Sequence, residues 1–357
     1  MRWLLLSAFL ITAVAAVSGQ TATGTAQSVP DDPQKLLAAA EPFYDFNSPE
    51  LKPWHLKATY QLYDDQGKPT EQGTYEYWWA SPQMYRSTWT RPDATKTEWT
   101  VNGTLYSKES GSALRYFERV LGTLFLHPLP SRTVFGSGKL RLGLKMVTSG
   151  QVTLACVGAA PQSDFHGKPQ APGPGTTQYY CFEPSSLALR VTTNPNTITT
   201  DYSSIVKFHG HYLAQQVVVW AGKQEVFSIS VGAIDDLNSS DPVLSPTADA
   251  TPGRSVVTEP IAGIAGDQVE MGSLVKRTLP VYPVIAKTEH KQGVVVLGGT
   301  IGPDGKVHNL EVLASPFPLL AISAVDAVKQ WEYKPYRMNG QAVEVETVIN
   351  VFFSLGR

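Results

Sequence analysis

The sequence predicts an α+β protein built from two globular parts. The first is predicted to be a curved antiparallel sheet, or half-barrel, with one or two helices. The second is predicted to be a small antiparallel sheet packed by a helix. Two observations support this: segments with alternating apolar residues recur through residues 51–237, and a strand–strand–helix–strand order follows residue 273. Period-two alternation is typical of half-buried strands, and many short antiparallel strands favour a curved sheet or partial barrel.

The first predicted part consists of alternating strands separated by turns. In WHLKATYQLY, Trp54, Leu56 and Ala58 fall on one face. The Asn102-Gly103 pair in TEWTVNGTLYSKE predicts a hairpin, because two-residue turns favour Asn-Gly. One helix is predicted for SALRYFERVLGTLF, whose apolar residues recur at helical spacing.

The second predicted part ends in an unusually long strand. A helix is predicted after Pro316 and Pro318, because proline suits the entry to a helix and not its interior. From Val343 to Leu355 apolar and polar residues alternate over thirteen positions. A terminal strand often lies at a sheet edge, where another chain can pair with it.

Composition divides the chain into five predicted segments. The segment between the two globular parts has scattered prolines, small residues and no periodicity, which indicates a linker. The predicted segments are a signal peptide at 1–19, an N-terminal arm at 20–50, the half-barrel at 51–237, the linker at 238–272 and the C-terminal domain at 273–357.

The N-terminus reads MRWLLLSAFLITAVAAVSGQ. Arg2, the apolar run Trp3–Val17 and the small residues after it are typical of a secretory signal peptide. The run is short for a membrane span, which needs about 20 apolar residues. We therefore expect export with cleavage of the leader, and an uncleaved membrane anchor is the alternative.

The two cysteines, Cys156 and Cys181, lie in the strand-like runs QVTLACVGA and TTQYYCFEP. Two strands of a hairpin would bring them face to face, so a disulfide is predicted for an exported chain. The loop-closure model gives such a bond about 3 kcal/mol. A redox pair is the alternative, although the C-x-x-C spacing is missing.

The sequence offers no catalytic constellation. FGSGKL lacks the first glycine and the final Ser/Thr of a phosphate-binding loop. His209 and His211 have a spacing compatible with a shared metal, but two polar residues at a turn is the interpretation we favour. The net charge of −2 with 17% charged residues gives no basis for a nucleic-acid partner. We therefore predict no enzyme activity, no cofactor and no metal site.

A series of residues in the last segment matches a known family in order and spacing. These residues are Pro280, Tyr282, Pro283, Ala286, Gly293, Asp304, Gly305, Val307, Ala324, Ala327, Trp331, Tyr333, Pro335, Gly340 and Phe352. With them, the segment resembles the C-terminal domain of TonB-family energy transducers. In that family the sheet edge near the C-terminal strand accepts an extended peptide, the TonB box of an outer-membrane receptor.

The TonB resemblance implies a periplasmic partner-binding protein, supporting transport across the cell envelope. The partner would be a TonB-dependent receptor or another envelope protein. It would pair with backbone groups of Val345, Thr347, Ile349 and Val351. The alternative is that this strand is internal or pairs within a homodimer. Because the apolar run Trp3–Val17 lacks the family's His and the linker is short, a binding module is expected rather than direct force transmission.

A second resemblance covers the N-terminal part. Its strands around one helix, ending in FHGHYLAQQVVVWAGKQEVFSISVGAIDDLN, are similar to LolA-type lipoprotein carriers. Those proteins are half-barrels with an apolar cavity covered by helices. This resemblance implies an alternative function, in which the half-barrel carries a lipoprotein or another hydrophobic ligand. The aromatic residues of GTYEYWWA and STWT would then line the cavity, and the other interpretation is that they fill a core.

Overall fold

The structure is a computed structural model in which part of the chain is described. The described residues are 29–64, 67–130, 135–136, 138, 140–162, 177–193, 198–253, 256–258, 269–270, 273–338 and 340–355. The predicted signal peptide at residues 1–19 lies outside them. Within these ranges, the structure has no helix with the length and apolar character needed to cross a bilayer.

The N-terminal part is a curved antiparallel sheet of thirteen strands. The first five are β1 (Trp54–Tyr63), β2 (Pro69–Ser81), β3 (Met84–Arg91), β4 (Ala94–Val101) and β5 (Thr104–Gly111). The next seven are β6 (Leu140–Ser149), β7 (Val152–Pro161), β8 (Gln178–Phe182), β9 (Leu189–Thr193), β10 (Ile198–Phe208), β11 (His211–Ala221) and β12 (Gln224–Asp236). The last is the short β13 (Thr251–Pro252).

The strand order is β13-β5-β4-β3-β2-β1-β12-β11-β10-β9-β8-β7-β6. Two meanders therefore meet at a single seam, where β1 pairs with β12 from Trp54 opposite Asp236 to Leu62 opposite Phe227. The end strands β13 and β6 do not pair with each other, so the sheet stays open. This confirms the predicted half-barrel.

The hairpin predicted at Asn102-Gly103 is present. Val101 pairs with Thr104 across the turn between β4 and β5. Asn102 and Gly103 have φ values of 51° and 78°, which asparagine and glycine adopt more readily than other residues.

Short helices cover one face of the half-barrel. They are α1 (Pro33–Ala40), a 3-10 helix (Glu41–Tyr44), α2 (Tyr116–Arg119) and α3 (Leu121–Phe125). The Phe117 ring stacks on Phe227 with centroids 5.4 Å apart, and the Phe125 ring meets Tyr75 edge-on at 6.1 Å. These contacts place α2 and α3 over β12 and β2, at the middle of the sheet.

The prediction of a single helix for SALRYFERVLGTLF is wrong, because the structure has two short helices there, α2 and α3. The division falls at Val120, which has φ −95° and ψ 5°. A buried Glu118 carboxylate accepts hydrogen bonds from the Arg115 backbone N–H at 2.6 Å and from Arg91 Nη1 at 2.9 Å. These bonds hold the first turn in a separate orientation.

The aromatic residues of β2 and β3 mostly fill the core. Tyr75, Trp79 and Trp89 are buried, with exposures of 1%, 1% and 6%. Trp78 points to the other face and stacks on His55 with ring centroids 4.5 Å apart. Of the two interpretations of these aromatic side chains, the structure agrees with the one in which they fill a core.

The predicted disulfide is present between Cys156 and Cys181. The two residues lie directly opposite each other on β7 and β8. Because the bond closes a separation of 25 residues, the loop-closure model assigns it about 3 kcal/mol of stabilisation.

A second, four-stranded sheet forms the C-terminal part. Its strands are β14 (Val256–Thr258), β17 (Gly293–Ile301), β18 (Val307–Ala314) and β22 (Glu344–Phe353), in the order β14-β22-β17-β18. Two short ribbons are formed by β15 (Val269–Glu270), β16 (Ser273–Lys276), β19 (Glu332–Lys334), β20 (Arg337–Met338) and β21 (Gln341–Ala342). The helices are α4 (Val284–Thr288) and α5 (Pro318–Val328).

The helix α5 packs on one face of this second sheet, as predicted. Leu320, Ala324 and Val328 are fully buried in a cluster with Leu297 and Ile349 of the sheet. The small sheet packed by a helix is therefore confirmed.

The partly buried position of His127 predicts a pH-dependent stability. Asn47 Nδ2 lies 3.3 Å from His127 Nε2, so the neutral imidazole can accept this amide proton. Burial lowers the pKa of His127 from 6.5 to about 4. Since the unfolded chain then binds the proton first, the free energy of unfolding should fall by about 2 kcal/mol as the pH drops from 6.5 to 4.

Urea unfolding of the wild type and of His127→Gln at several pH values checks this expectation. The variant should show a flatter pH dependence over that window. The matched change His290→Gln, at an exposed histidine, should leave the wild-type slope intact. Equal slopes for wild type and His127→Gln would contradict the prediction.

Candidate functional site on the C-terminal strand

The long final strand predicted from the sequence is β22. It pairs with β17 along its length, from Val345 opposite Ile301 to Phe353 opposite Gly293. On its other side, β14 pairs in parallel with residues 344–346 only. In the described part of the chain, no strand continues this pairing along residues 347–353. Among the described strands, β17 thus pairs with one edge of β22 along its length, and β14 pairs with the start of the other edge.

The four residues predicted to offer backbone groups lie on this strand with buried side chains. Val345, Thr347, Ile349 and Val351 are exposed by only 1%, 7%, 6% and 1%. Ile349 and Val351 pack in the cluster beneath α5. These side chains are not available to a partner, so recognition here would use the main chain, and their role stays a prediction.

The other face of β22 packs against the half-barrel. Glu346 is 3% exposed, although it alternates with the apolar face. Arg119 of α2 donates to both of its carboxylate oxygens, from Nε at 2.8 Å and from Nη2 at 3.2 Å. Thr300 Oγ1 donates to the same carboxylate at 3.0 Å. A charge-assisted, two-pronged contact therefore joins the two parts of the molecule.

A close approach of the Tyr116 ring to the backbone of β17 completes this interface. A Cβ atom added to Gly298 of β17 would lie 2.5 Å from Cγ of Tyr116. Only glycine lets the Tyr116 ring lie this close to the sheet. Val296 and Leu313 of the second sheet belong to the same apolar cluster as Phe117. Both faces of the second sheet are thus covered, by α5 and by the half-barrel.

The interface helix α2 is held by a buried ionic network. Arg91 and Glu118 have side-chain exposures of 2% and 0%, with Nη1 2.9 Å from Oε2. Arg91 also contacts Glu71 and Asp93, each at 2.8 Å. Burial raises the pKa of Glu118, whereas hydrogen bonds from Tyr60 and the Arg115 backbone and the charge of Arg91 oppose the rise. The network holds α2 in place, and α2 in turn positions Arg119 against Glu346 of β22.

Sequence reasoning missed β14 and the pair of Arg119 with Glu346. The run Val256-Val257-Thr258 has the β-branched composition of a strand. Three such residues inside a proline-containing segment are a weak signal. The ion pair joins residues 227 positions apart, and no spacing rule reaches across such a distance.

The histidines considered for a metal are arranged differently. His209 Nε2 hydrogen-bonds to the Asp236 carboxylate, and His211 Nδ1 donates to the His209 carbonyl at 3.1 Å. Within the described ranges, no three His, Cys, Asp or Glu side chains are placed to hold a metal ion.

The C-terminal part corresponds to a known domain family. Residues 278–355 match the family model for the C-terminal domain of the Gram-negative bacterial TonB protein. This confirms the resemblance of the last segment. The matched range, called the TonB-like domain below, contains β17, β18, β22, α4 and α5. A comparison with curated proteins gives no match for the chain.

Several solved structures are similar to this chain over more than half of its length. A LolA superfamily protein from Nitrosomonas europaea has a TM-score of 0.39 and 8% identity, over 62% of this chain and 99% of that one. An outer membrane lipoprotein-sorting protein domain from Vibrio parahaemolyticus has a TM-score of 0.38 and 9% identity, over 60% of this chain and 99% of that one. A DUF1329 family protein from Desulfovibrio piger has a TM-score of 0.39 and 10% identity, over 60% of this chain and 98% of that one.

Proposed function

We propose that this protein is a non-enzymatic, periplasmic binding protein of the cell envelope. It takes an extended segment of a partner protein as an added strand on the edge of β22 that faces β14. The partner is a TonB-dependent outer-membrane receptor or another envelope protein, and the interaction supports transport across the envelope. Export depends on residues 1–19, and anchoring of the chain in the inner membrane by this segment is the alternative.

One observation carries the proposal. β14 pairs in parallel with residues 344–346, whereas β22 continues to Phe353. This edge is therefore compatible with parallel pairing, and an incoming segment can add to it in the same direction by displacing β14. Main-chain pairing gives affinity with little demand on sequence. The match of residues 278–355 to the TonB C-terminal family supports the same function.

A pair of proline substitutions tests the proposal. Successive N–H groups of a strand point to opposite sides, so either Val348 or Ile349 directs its N–H toward β17 and the other toward the edge that faces β14. Proline is tolerated only where the N–H faces away from the ladder. We expect one of Val348→Pro and Ile349→Pro to unfold the domain. The other should fold and bind TonB-box peptides at least about tenfold more weakly, because an edge donor is lost.

Fluorescence anisotropy with labelled TonB-box peptides measures the binding, and circular dichroism identifies the folded variant. The matched changes Val348→Thr and Ile349→Val keep the N–H groups and should keep the affinity. If the folded proline variant binds as tightly as the wild type, or the wild type binds no peptide of the panel, strand addition at this edge is rejected.

A second candidate function is the carriage of a hydrophobic ligand by the half-barrel. Trp54, Trp79 and Trp89 each bury an indole N–H that has no hydrogen-bond partner among the described residues. An unpaired buried donor costs about 1–3 kcal/mol, and acceptor oxygens of a ligand head group would remove this cost.

Native mass spectrometry of the purified protein tests this function. A co-purifying lipid that is lost in Trp79→Phe supports it, and a ligand-free wild type argues against it.

A further inference from the structure

Exposed apolar side chains are concentrated on one part of the TonB-like domain. Five of the eleven large apolar side chains that are exposed in the described residues lie around α4 and on α5. This set, called the α4 patch, consists of Leu279, Val281, Val284, Ile285 and Ile322. Val281 and Val284 are 81% and 77% exposed. Exposed apolar side chains gathered in one segment of a domain indicate an interaction site.

The patch is presented on a fixed support. Ser323 Oγ donates a hydrogen bond to the Val281 carbonyl, which places Val281 beside Ile322 on α5. Tyr282 Oη donates to the Lys291 carbonyl at 2.6 Å. Ala286, in the middle of α4, is fully buried in the cluster under α5. The apolar side chains therefore point outward from backbone that is held at several positions.

Cations flank the apolar side chains along the sequence. Lys276, Arg277, Lys287 and Lys291 lie in the segment that forms the patch, which contains a single acidic residue, Glu289. Lys287 Nζ lies 5.7 Å from the centroid of the Tyr282 ring, and Lys291 Nζ lies 5.8 Å from that of Phe317. Two further acids are near: Glu332, which pairs with Lys276 at 2.9 Å, and Asp326 of α5. The four cations outnumber the three acids, so the net charge of this region is slightly positive.

We propose that the α4 patch docks the protein on an anionic phospholipid surface. Apolar side chains that enter the headgroup region, together with lysines that face anionic lipid, are the features that bind a protein to a bilayer surface. A second copy of the chain is the less favourable occupant, because a two-fold contact would place the same cations opposite one another. The docking is independent of strand addition at β22.

A local fluorescence probe tests the docking in the whole protein. Both native cysteines are in the disulfide, so Val284→Cys allows a single NBD label on the patch. Val152→Cys, at a side chain 59% exposed on β7, carries the matched control label. The probe reports its own environment, and any membrane contact of the residues 1–19 segment leaves the comparison valid.

With vesicles of phosphatidylcholine and phosphatidylglycerol, NBD at position 284 should shift to the blue and brighten severalfold. The change should be smaller with phosphatidylcholine alone, should be reversed by added NaCl and should be reduced by Lys287→Gln with Lys291→Gln. The label at position 152 should change little. No change at position 284, or equal changes at both positions, overturns the proposal. A blue shift at position 284 that depends on protein concentration without vesicles also overturns it, and assigns the patch to a contact between copies.

Discussion

Replacing Arg91 by methionine is expected to lower the free energy of unfolding by about 3–5 kcal/mol, because it leaves Glu118 buried without a cation. Arg91 is nearly inaccessible and contacts the carboxylates of Glu118, Glu71 and Asp93 within 2.9 Å. Tyr60 and the Arg115 backbone N–H also donate to Glu118 and would remain. The change therefore removes the charge partner while part of the hydrogen bonding survives.

The loss should be largest near neutral pH. Since burial already raises the pKa of Glu118, removing Arg91 raises it further, and the folded variant binds a proton more readily than the unfolded chain. The difference from the wild type should therefore shrink as the pH falls. Urea unfolding at pH 7 and pH 5 measures both effects.

Two variants make this expectation specific to the buried pair. Arg115→Met changes a neighbouring arginine with a side chain 53% exposed and should cost less than about 1 kcal/mol. Arg91→Met combined with Glu118→Gln should recover much of the lost stability, because no buried charge then remains. If Arg91→Met costs no more than Arg115→Met, the network does not hold α2.

Arg119→Met is expected to separate the TonB-like domain from the half-barrel. The substitution removes both hydrogen bonds to Glu346, which is 3% exposed, and the contact with Glu311 at 3.1 Å. Leaving the carboxylate buried without a cation costs about 3 kcal/mol, and undocking lets water reach it. Undocking also exposes the apolar contacts of Val296 and Leu313 with the half-barrel.

Differential scanning calorimetry and hydrogen exchange measure this separation. The wild type should unfold in one transition, whereas Arg119→Met should show two, with faster amide exchange in β22. Glu346→Gln, which keeps the shape of the side chain and the bond from Thr300 and removes the negative charge, should have a smaller effect. A single transition and wild-type exchange rates for Arg119→Met would show that apolar packing alone maintains the docking.

The elements that follow local rules were predictable. The turn at Asn102-Gly103, the pairing of Cys156 with Cys181 and the long strand at the C-terminus each depend on residues close together in sequence or on a simple alternation. The division between α2 and α3 was not predictable, because the buried bond from Arg91 to Glu118 beside it joins residues far apart in the sequence. Helical spacing describes apolar residues and says nothing about a buried carboxylate.

The long strand β22 was predicted, whereas the elements that surround it were missed. The alternation in β22 locates one apolar face, but it cannot show that the half-barrel covers the other face, where Glu346 and Val348 lie. The partial cover by β14 was equally hidden. Both features arise from contacts between distant segments, and a single sequence records such contacts only as isolated residue types.

The seam between β1 and β12 has a consequence for how the chain folds. Each meander can form from neighbouring hairpins. The second edge of β1, however, is paired only when β12 has formed, about 180 residues later in the chain. During synthesis from the N-terminus this edge is open to other chains, which favours aggregation of the unfinished sheet. Assembly of the half-barrel should therefore be slow and limited by one long-range closure. A chaperone that shields β1 would raise the yield without changing the final stability.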